Sequence, residues 1–337
     1  MSSISVDIPT LKINQKNLQN FISFIYKHEE LLKKFGAIKI QLNTDCKLAL
    51  KKRRKNIVSC PTIEQIVKRS KDESVYFVQK FNDIDGSTQQ SSLVTDECSF
   101  WSSLSHSNNE RRRINISMIP GKSFFSQKTS RLYFDISRLP TQSLLKLCGK
   151  KVTHQFVPCV TRAHGPGAIF PLTSAQQRLF SVNYHHEGGA HHWYIIPTCE
   201  REVLRKIIDH QNTSICFDHG QLLIDPSVLD KNDIRYYRII QRPNEFIVLS
   251  AGTLAQSFTE DASWSESIAF ALPGWIEEGR ANLSIPPCQC NFPQDSLPET
   301  IDITLFTHER IQEYITSHLN IITNDKPLAL KGSQLCL

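Results

Sequence analysis

Four histidines, His185, His186, His191 and His192, fall within eight residues, on either side of Gly188 and Gly189. Imidazoles are common transition-metal ligands and titrate near neutral pH, so the cluster points first to a metal centre or to acid–base chemistry. Strand side chains alternate between two faces, which puts His185 on the face of Asn183. His185 and His191 could then face a pocket together, whereas His186 and His192 are expected to pack or hydrogen-bond as ordinary polar residues. Two nitrogens without a carboxylate make an incomplete metal site, because Glu187 falls in the turn. The other metal-like spacing is Cys288-Gln289-Cys290, although close cysteines are often only buried small side chains.

The runs LFSVNY and HWYIIP flank this Gly-rich turn with the alternating, β-branched pattern of a β-hairpin. From residue 156 onward short β-rich runs dominate, and GQLLID, YYRIIQR, EFIVLS and SIAFAL follow with Gly, Pro and Asp between them. That spacing predicts a sandwich or small barrel. Over residues 14–34, Leu18, Phe21, Ile22, Ile25, Leu31 and Leu32 recur at mostly helical spacing and Gly36 follows as a stop signal, which predicts one amphipathic helix. Ala37 to Ile40 alternate like a short strand that must pair elsewhere, so the N-terminal segment is expected to dock rather than fold alone. Residues 70–109, rich in Asp, Ser, Asn and Gln, read as a linker or substrate-facing loop region. Further helices are expected over 137–146 and 201–210.

With 337 residues, 40% of them hydrophobic, the chain can build a substantial core as one large domain with appendages or as two ordinary ones. It has no run of eighteen apolar residues and its first residues lack a signal-peptide pattern, so the expectation is an intracellular protein with no membrane contact. Ten scattered cysteines are then expected mostly as reduced thiols. The net charge of +6 is concentrated in Lys51, Lys52, Arg53, Arg54 and Lys55 and in Arg111, Arg112 and Arg113. Such clusters are either solvated loops or contacts to an import receptor or phosphate, which would allow weak nucleic-acid contact through Lys51 to Lys55.

Several motifs occur in one order over roughly residues 8–320. The first is IPTLKINQKNLQNFISFIYKHEELLKKFGAIKIQL, continuing through CPTIEQIV. Then come FSVNYHHEGGAHHWYIIP, DPSVL, and the block from RPNEFIVLSAG to ESIAFALPGWIEEGR. Together they resemble the JmjN plus JmjC half of the jumonji histone lysine demethylases, in particular the subfamily with a zinc site beside its active site. The resemblance implies a mainly β fold with flanking helices (α+β): a double-stranded β-helix, the cupin-like jelly-roll barrel, with a JmjN segment packed on it. The implied boundaries are 8–50 for the JmjN-like segment, 51–130 for a linker and mixed α/β region, 131–285 for the JmjC-like barrel, and 286–337 for a zinc-associated, helical C-terminal segment.

In that family two histidines and a carboxylate hold iron(II), leaving room for 2-oxoglutarate and oxygen. Counting back from Ser181 puts the family's His-x-Asp/Glu motif at Thr173, Ser174 and Ala175, and alignment through Phe258 and Glu266 puts the third ligand at Ala255. The resemblance therefore implies that all three iron ligands are replaced. Of the 2-oxoglutarate residues, Asn183 is retained, the lysine position holds His191, and a family tyrosine falls near Pro120. An imidazole is a weaker and mostly neutral partner for a carboxylate, so cosubstrate binding is expected to be weakened or lost. The zinc ligands implied are Cys216, His219, Cys288 and Cys290, with Cys216 shifted from the family position at Thr213.

These implications describe a nuclear, chromatin-associated protein that has lost catalysis and binds histone tails or chromatin partners. The alternative is an active Fe(II)/2-oxoglutarate-dependent histone lysine demethylase with atypical ligands, in which the N-methyl group is hydroxylated and leaves as formaldehyde. A third reading is a degenerate remnant without a specific partner.

Overall fold

The computed structural model describes residues 8–51, 62–69, 75–82, 94, 96–105, 113–125, 133–209, 217, 220–281 and 300–319. Among these, the strands are β1 (Thr10–Ile13), β2 (Ala37–Leu42), β3 (Ile63–Arg69), β4 (Val75–Asn82), β5 (Arg113–Pro120), β6 (Cys159–Ala163) and β7 (Ile169–Thr173). They continue as β8 (Phe180–Gly188), β9 (His191–Ile196), β10 (Leu222–Ile224), β11 (Tyr237–Gln241), β12 (Glu245–Leu249), β13 (Leu254–Thr259) and β14 (Ser263–Phe270). The major sheet runs β1-β2-β12-β8-β14-β6-β5-β3-β4-β10, and the minor sheet is β7-β13-β9-β11. A single pairing, Leu222 with Leu172, joins the two where β10 meets β7.

The chain alternates between the sheets: β7 lies in the minor sheet, β8 in the major, β9 in the minor, β12 in the major, β13 in the minor and β14 in the major. This course corrects the hairpin expected around Gly188 and Gly189. β8 pairs with β12 and β14, whereas β9 pairs with β11 and β13, so the glycines mark a crossover between sheets. Alternation and a Gly turn look the same in either case, because a local pattern does not specify the partner. The crossover at 189–190 stacks on the parallel one at 260–262: the Gly189 N–H donates to the Ala262 carbonyl (3.1 Å) and the Glu260 N–H to the Ala190 carbonyl (2.9 Å).

A helical layer covers the outer face of the major sheet. There Phe180, Val182, Tyr184, Phe246 and Phe270 pack with Phe21, Ile25, Leu139, Trp275 and Tyr314 in one buried cluster. The single helix expected over 14–34 is three pieces, Gln15–Gln19, Phe21–Lys27 and Glu29–Phe35. Phe21, Ile22, Phe24 and Ile25 are all buried, a wider face than one straight amphipathic helix offers. The break at Asn20 is also favoured by its side-chain amide, which donates to the Lys16 carbonyl (3.1 Å) in competition with the helix ladder. Gly36 ends the last piece in a left-handed conformation (φ +76°), its N–H donating to the Leu32 carbonyl at 2.8 Å. β2 follows directly and pairs with β12 from Ala37↔Leu249 to Gln41↔Glu245, so the N-terminal segment is welded to the sheet.

Two other expectations change. The helix expected over 137–146 is a set of short turns, Ile136–Arg138, Leu139–Gln142 and Leu144–Cys148, interrupted where Ser143 is extended and its hydroxyl accepts from the Leu145 N–H. The helix expected over 201–210 is present as Arg201–Asp209. Within residues 70–109, taken as linker or loop, β4 pairs along its length with β3. In the same stretch the helix Glu97–Ser105 lays Phe100 flat on Phe258 (centroids 3.8 Å apart) and donates from the Trp101 indole to the Tyr194 hydroxyl at 2.6 Å. A few large aromatics anchor this segment despite its polar composition. Cys46, Cys98, Cys148 and Cys159 are free thiols. Among the described residues no helix is long and apolar enough to cross a membrane.

One buried carboxyl ties the helical layer together. Glu29 accepts from the Gly274 N–H at 3.0 Å, where the helix Pro273–Glu277 begins. Burial pushes its pKa up to about 8, against a pull from Lys33 and with a further push from Glu277. The folded value lies above the ordinary 4.5, so this group's contribution is fully present below about pH 4.5 and is lost as pH rises through 8. Glu29→Gln keeps the acceptor and removes the charge. Melting curves at about pH 5 and pH 8.5 should show a flatter pH dependence, with the variant about 3 °C or more above the parent at the higher pH; equal slopes would contradict this role.

Candidate functional site

Between the sheets, an apolar cluster of Ile195, Ile239, Ile247 and Ala255 fills one side, and beside it lies a pocket of about 430 Å³. Strand parity explains what faces it. On β8, Phe180, Val182 and Tyr184 belong to the helix-side core, while Ser181 and Asn183 line the pocket. On β14, Ser265 and Ser267 line it, and on β9, His191 and Trp193 do. Phe170 on β7 completes an aromatic wall: the His191 ring lies near-parallel between Phe170 (5.4 Å, 26°) and Trp193 (6.4 Å, 21°).

Thr173, Ala175, Asn183, His191 and Ala255 all line this one pocket. Thr173 on β7 and Ala255 on β13 are direct cross-strand partners, and Ala175 follows two residues past the end of β7. Pro120 sits exposed at the end of β5 and does not line the pocket; Met118 on the same strand does. Phe170, Trp193 and Gln155 were not singled out as site residues, although for Trp193 the period-two parity with His191 carries the signal. Cys216, His219, Cys288 and Cys290 lie outside the described residues, as do Lys52, Arg53, Arg54 and Lys55.

The four histidines divide into two pairs. His186 is the extra residue of a bulge, since Trp264 pairs with Glu187 and Ser265 with His185. Its Nε2 bonds Glu266 Oε2 at 3.1 Å, inside an aromatic surround of Phe124, Phe125 and Tyr184. His192 Nε2 bonds Glu260 Oε1 at 2.7 Å and stacks on Phe258. The other pair, His185 and His191, meets edge to face with centroids 4.7 Å apart. His191 Nε2 bonds the Ser263 hydroxyl at 2.9 Å. Buried atoms without a hydrogen-bond partner include His191 Nδ1 and Asn183 Oδ1.

Burial, aided by the neighbouring His186, pushes His185 down to about 4, and burial with His185 and His192 holds His191 well below the ordinary imidazole value. Both are neutral at physiological pH, so His191 supplies no fixed cation for a carboxylate. A hydroxyl at Thr173 and methyl groups at Ala175 and Ala255 offer iron(II) neither imidazole nor carboxylate, so these donors do not fit that metal. His185 and His191 supply two nitrogens, but among the described residues no set of three metal-ligating side chains comes together.

The alternating strand course around an internal pocket is that of a cupin-like jelly roll. Residues 164–270 match the family described as JmjC domain, hydroxylase. The chain is similar to the probable lysine-specific demethylase 4F of Homo sapiens, 32% identical over 118 residues that cover 33% of this chain and 18% of the relative. Lysine-specific demethylase 4B of Mus musculus is 25% identical over 164 residues, 47% of this chain and 15% of the relative. The Lid2 complex component lid2 of Schizosaccharomyces pombe is 24% identical over 243 residues, 64% of this chain and 16% of the relative. The chain thus spans less than a fifth of the length of these curated relatives.

Proposed function

We propose that this JmjC protein is a nuclear, chromatin-associated binder of histone tails or chromatin partners in which demethylase chemistry has been lost. The observation carrying the proposal is the convergence of Thr173, Ala175 and Ala255 on the pocket wall, where iron(II) chemistry would need two imidazoles and a carboxylate. The barrel around them is intact, with its inner strands paired and its apolar clusters filled. A fold that persists without the reactive donors is suited to binding. Within the same reading, residues 8–50 act as the JmjN segment, and Cys216, His219, Cys288 and Cys290 hold a structural zinc.

The experiment is a binding panel of histone peptides, unmodified, methylated and acetylated, against the purified chain. The expected result is saturable binding with a Kd of about 100 μM or tighter for at least one peptide. No binding to any of them sinks the histone-tail reading.

One observation favours a second reading, an active demethylase with atypical ligands: His185 and His191 meet edge to face, and His191, which lines the pocket, keeps Nδ1 without a partner. Against it stand the lack of a third metal-ligating side chain beside them among the described residues and the complete enclosure of His185.

A further inference from the structure

The pocket retains polar atoms that nothing in the fold uses. Asn183 Oδ1 and His191 Nδ1 are buried, lack a hydrogen-bond partner, and belong to two side chains that line the same cavity from facing sheets. An unmet buried acceptor or donor costs free energy that a ligand recovers by meeting it, so such a pair marks a place built for a polar ligand. The Asn183 oxygen accepts only and calls for an N–H. The His191 imidazole adapts: when the Ser263 hydroxyl donates to Nε2, Nδ1 carries the hydrogen and donates to a carbonyl.

The remaining lining contributes hydroxyls from Ser265 and Ser267, small walls at Ala255 and Ala269, and the aromatic face of Phe170 and Trp193. Among the described lining residues none carries a formal charge. A methylated ammonium or a dicarboxylate entering this cavity would lose its hydration without meeting an opposite charge, whereas a neutral amide would keep its hydrogen bonds.

We infer that the barrel pocket binds a neutral amide, its N–H on Asn183 Oδ1, its carbonyl on His191 Nδ1 and its acyl group against the Phe170–Trp193 wall. Two sources present that chemistry, the acylated lysine of a peptide and a free acylated amine. The peptide source rests on the histone-tail reading above. Acylation turns a lysine cation into this neutral group, so the pocket discriminates by charge as well as shape.

The test titrates the full chain with three probes: a histone-tail peptide carrying Nε-acetyl-lysine, the same peptide unmodified, and free Nε-acetyl-lysine. Intrinsic tryptophan fluorescence, to which Trp193 on the pocket wall contributes, and calorimetry give the readouts. The inference expects the acetylated peptide, the free amide or both to bind, the acetylated peptide at least about tenfold tighter than its unmodified form where it binds. Asn183→Ala should weaken that binding by about tenfold with an unchanged melting temperature. Ala255→Leu, which narrows the cavity beside the Thr173 wall, should weaken it at least as much and serves as a second variant should Asn183→Ala fold poorly. Binding of the free amide alone supports the amide pocket and removes the peptide source. Equal binding of acetylated and unmodified peptides, insensitive to both variants, overturns the inference while leaving the histone-tail reading standing. Failure of both amide probes overturns the inference as well.

Discussion

Replacing Gly188 by alanine should lower the unfolding free energy by about 3–4 kcal/mol, among the largest effects of any single change in the barrel. Two causes add. Gly188 sits at φ +101°, a conformation L side chains rarely adopt, and strain of that kind costs about 1–3 kcal/mol. A Cβ there would also overlap the Ala262 carbonyl and come within 2.6 Å of the Ser263 Cα, so the 189–190 crossover would have to lift off the 260–262 crossover beneath it. That movement disturbs the hydrogen bonds that hold β8–β9 against β13–β14. Gly121→Ala is the control, because Gly121 has φ +73° with nothing within 4 Å of an added Cβ. Its cost should be the conformational part alone, about 1 kcal/mol. Urea unfolding of both variants separates strain from collision. Equal, small losses would show that the crossovers are not packed as described.

The second large effect is a gain. Placing imidazoles and a carboxylate through Thr173→His, Ala175→Asp and Ala255→His should create a divalent-metal site binding cobalt(II) at least about 100-fold tighter than the parent chain. Cross-strand partners hold their Cβ atoms about 5 Å apart, close enough for two imidazoles to share one ion, and Thr173 and Ala255 are such partners. The pocket of about 430 Å³ gives the larger side chains space. Each single substitution should do little, because one or two ligands leave the ion weakly held. The d–d absorption of cobalt(II) reads the result directly. A triple variant that folds yet gains no cobalt spectrum would show that these three positions are not where the family's metal would sit.

The extent to which the sequence was legible follows from the range of the interactions involved. The strands after residue 156 were readable because alternation is local, and Gly36 as a helix stop was readable because the left-handed cap is local too. The crossover at Gly188 was not, since the same alternation serves a hairpin or two sheets and only the pairing of β8 with β12 and β14 decides. Nor was the anchoring of the segment around Trp101, whose partner Tyr194 lies 93 residues away. The helix over 14–34 was legible as helical but not as broken, because its break depends on the sheet it covers. Among the site residues, the parity that carries His191 and Asn183 inward was legible. The aromatic wall formed with Phe170 depends on β7 and β9 both pairing with β13.

The pairing of His186 with Glu266 has the same lesson for chemistry. A histidine-rich turn suggests metal, yet one histidine of each adjacent pair is held by a distant glutamate, Glu266 on β14 for His186 and Glu260 in the 260–262 crossover for His192. Burial keeps the other two neutral: His185 is enclosed, and His191 lines the pocket with its Nδ1 unpartnered.

The proposed loss of iron chemistry is tested most directly by turnover of 2-oxoglutarate. The purified chain would be incubated with iron(II), 2-oxoglutarate, oxygen and trimethyl-lysine histone peptides, and succinate and formaldehyde measured by mass spectrometry. The predicted result is no succinate above the enzyme-free background with any peptide. Succinate and formaldehyde formed together, dependent on iron and on the methylated peptide, would contradict it.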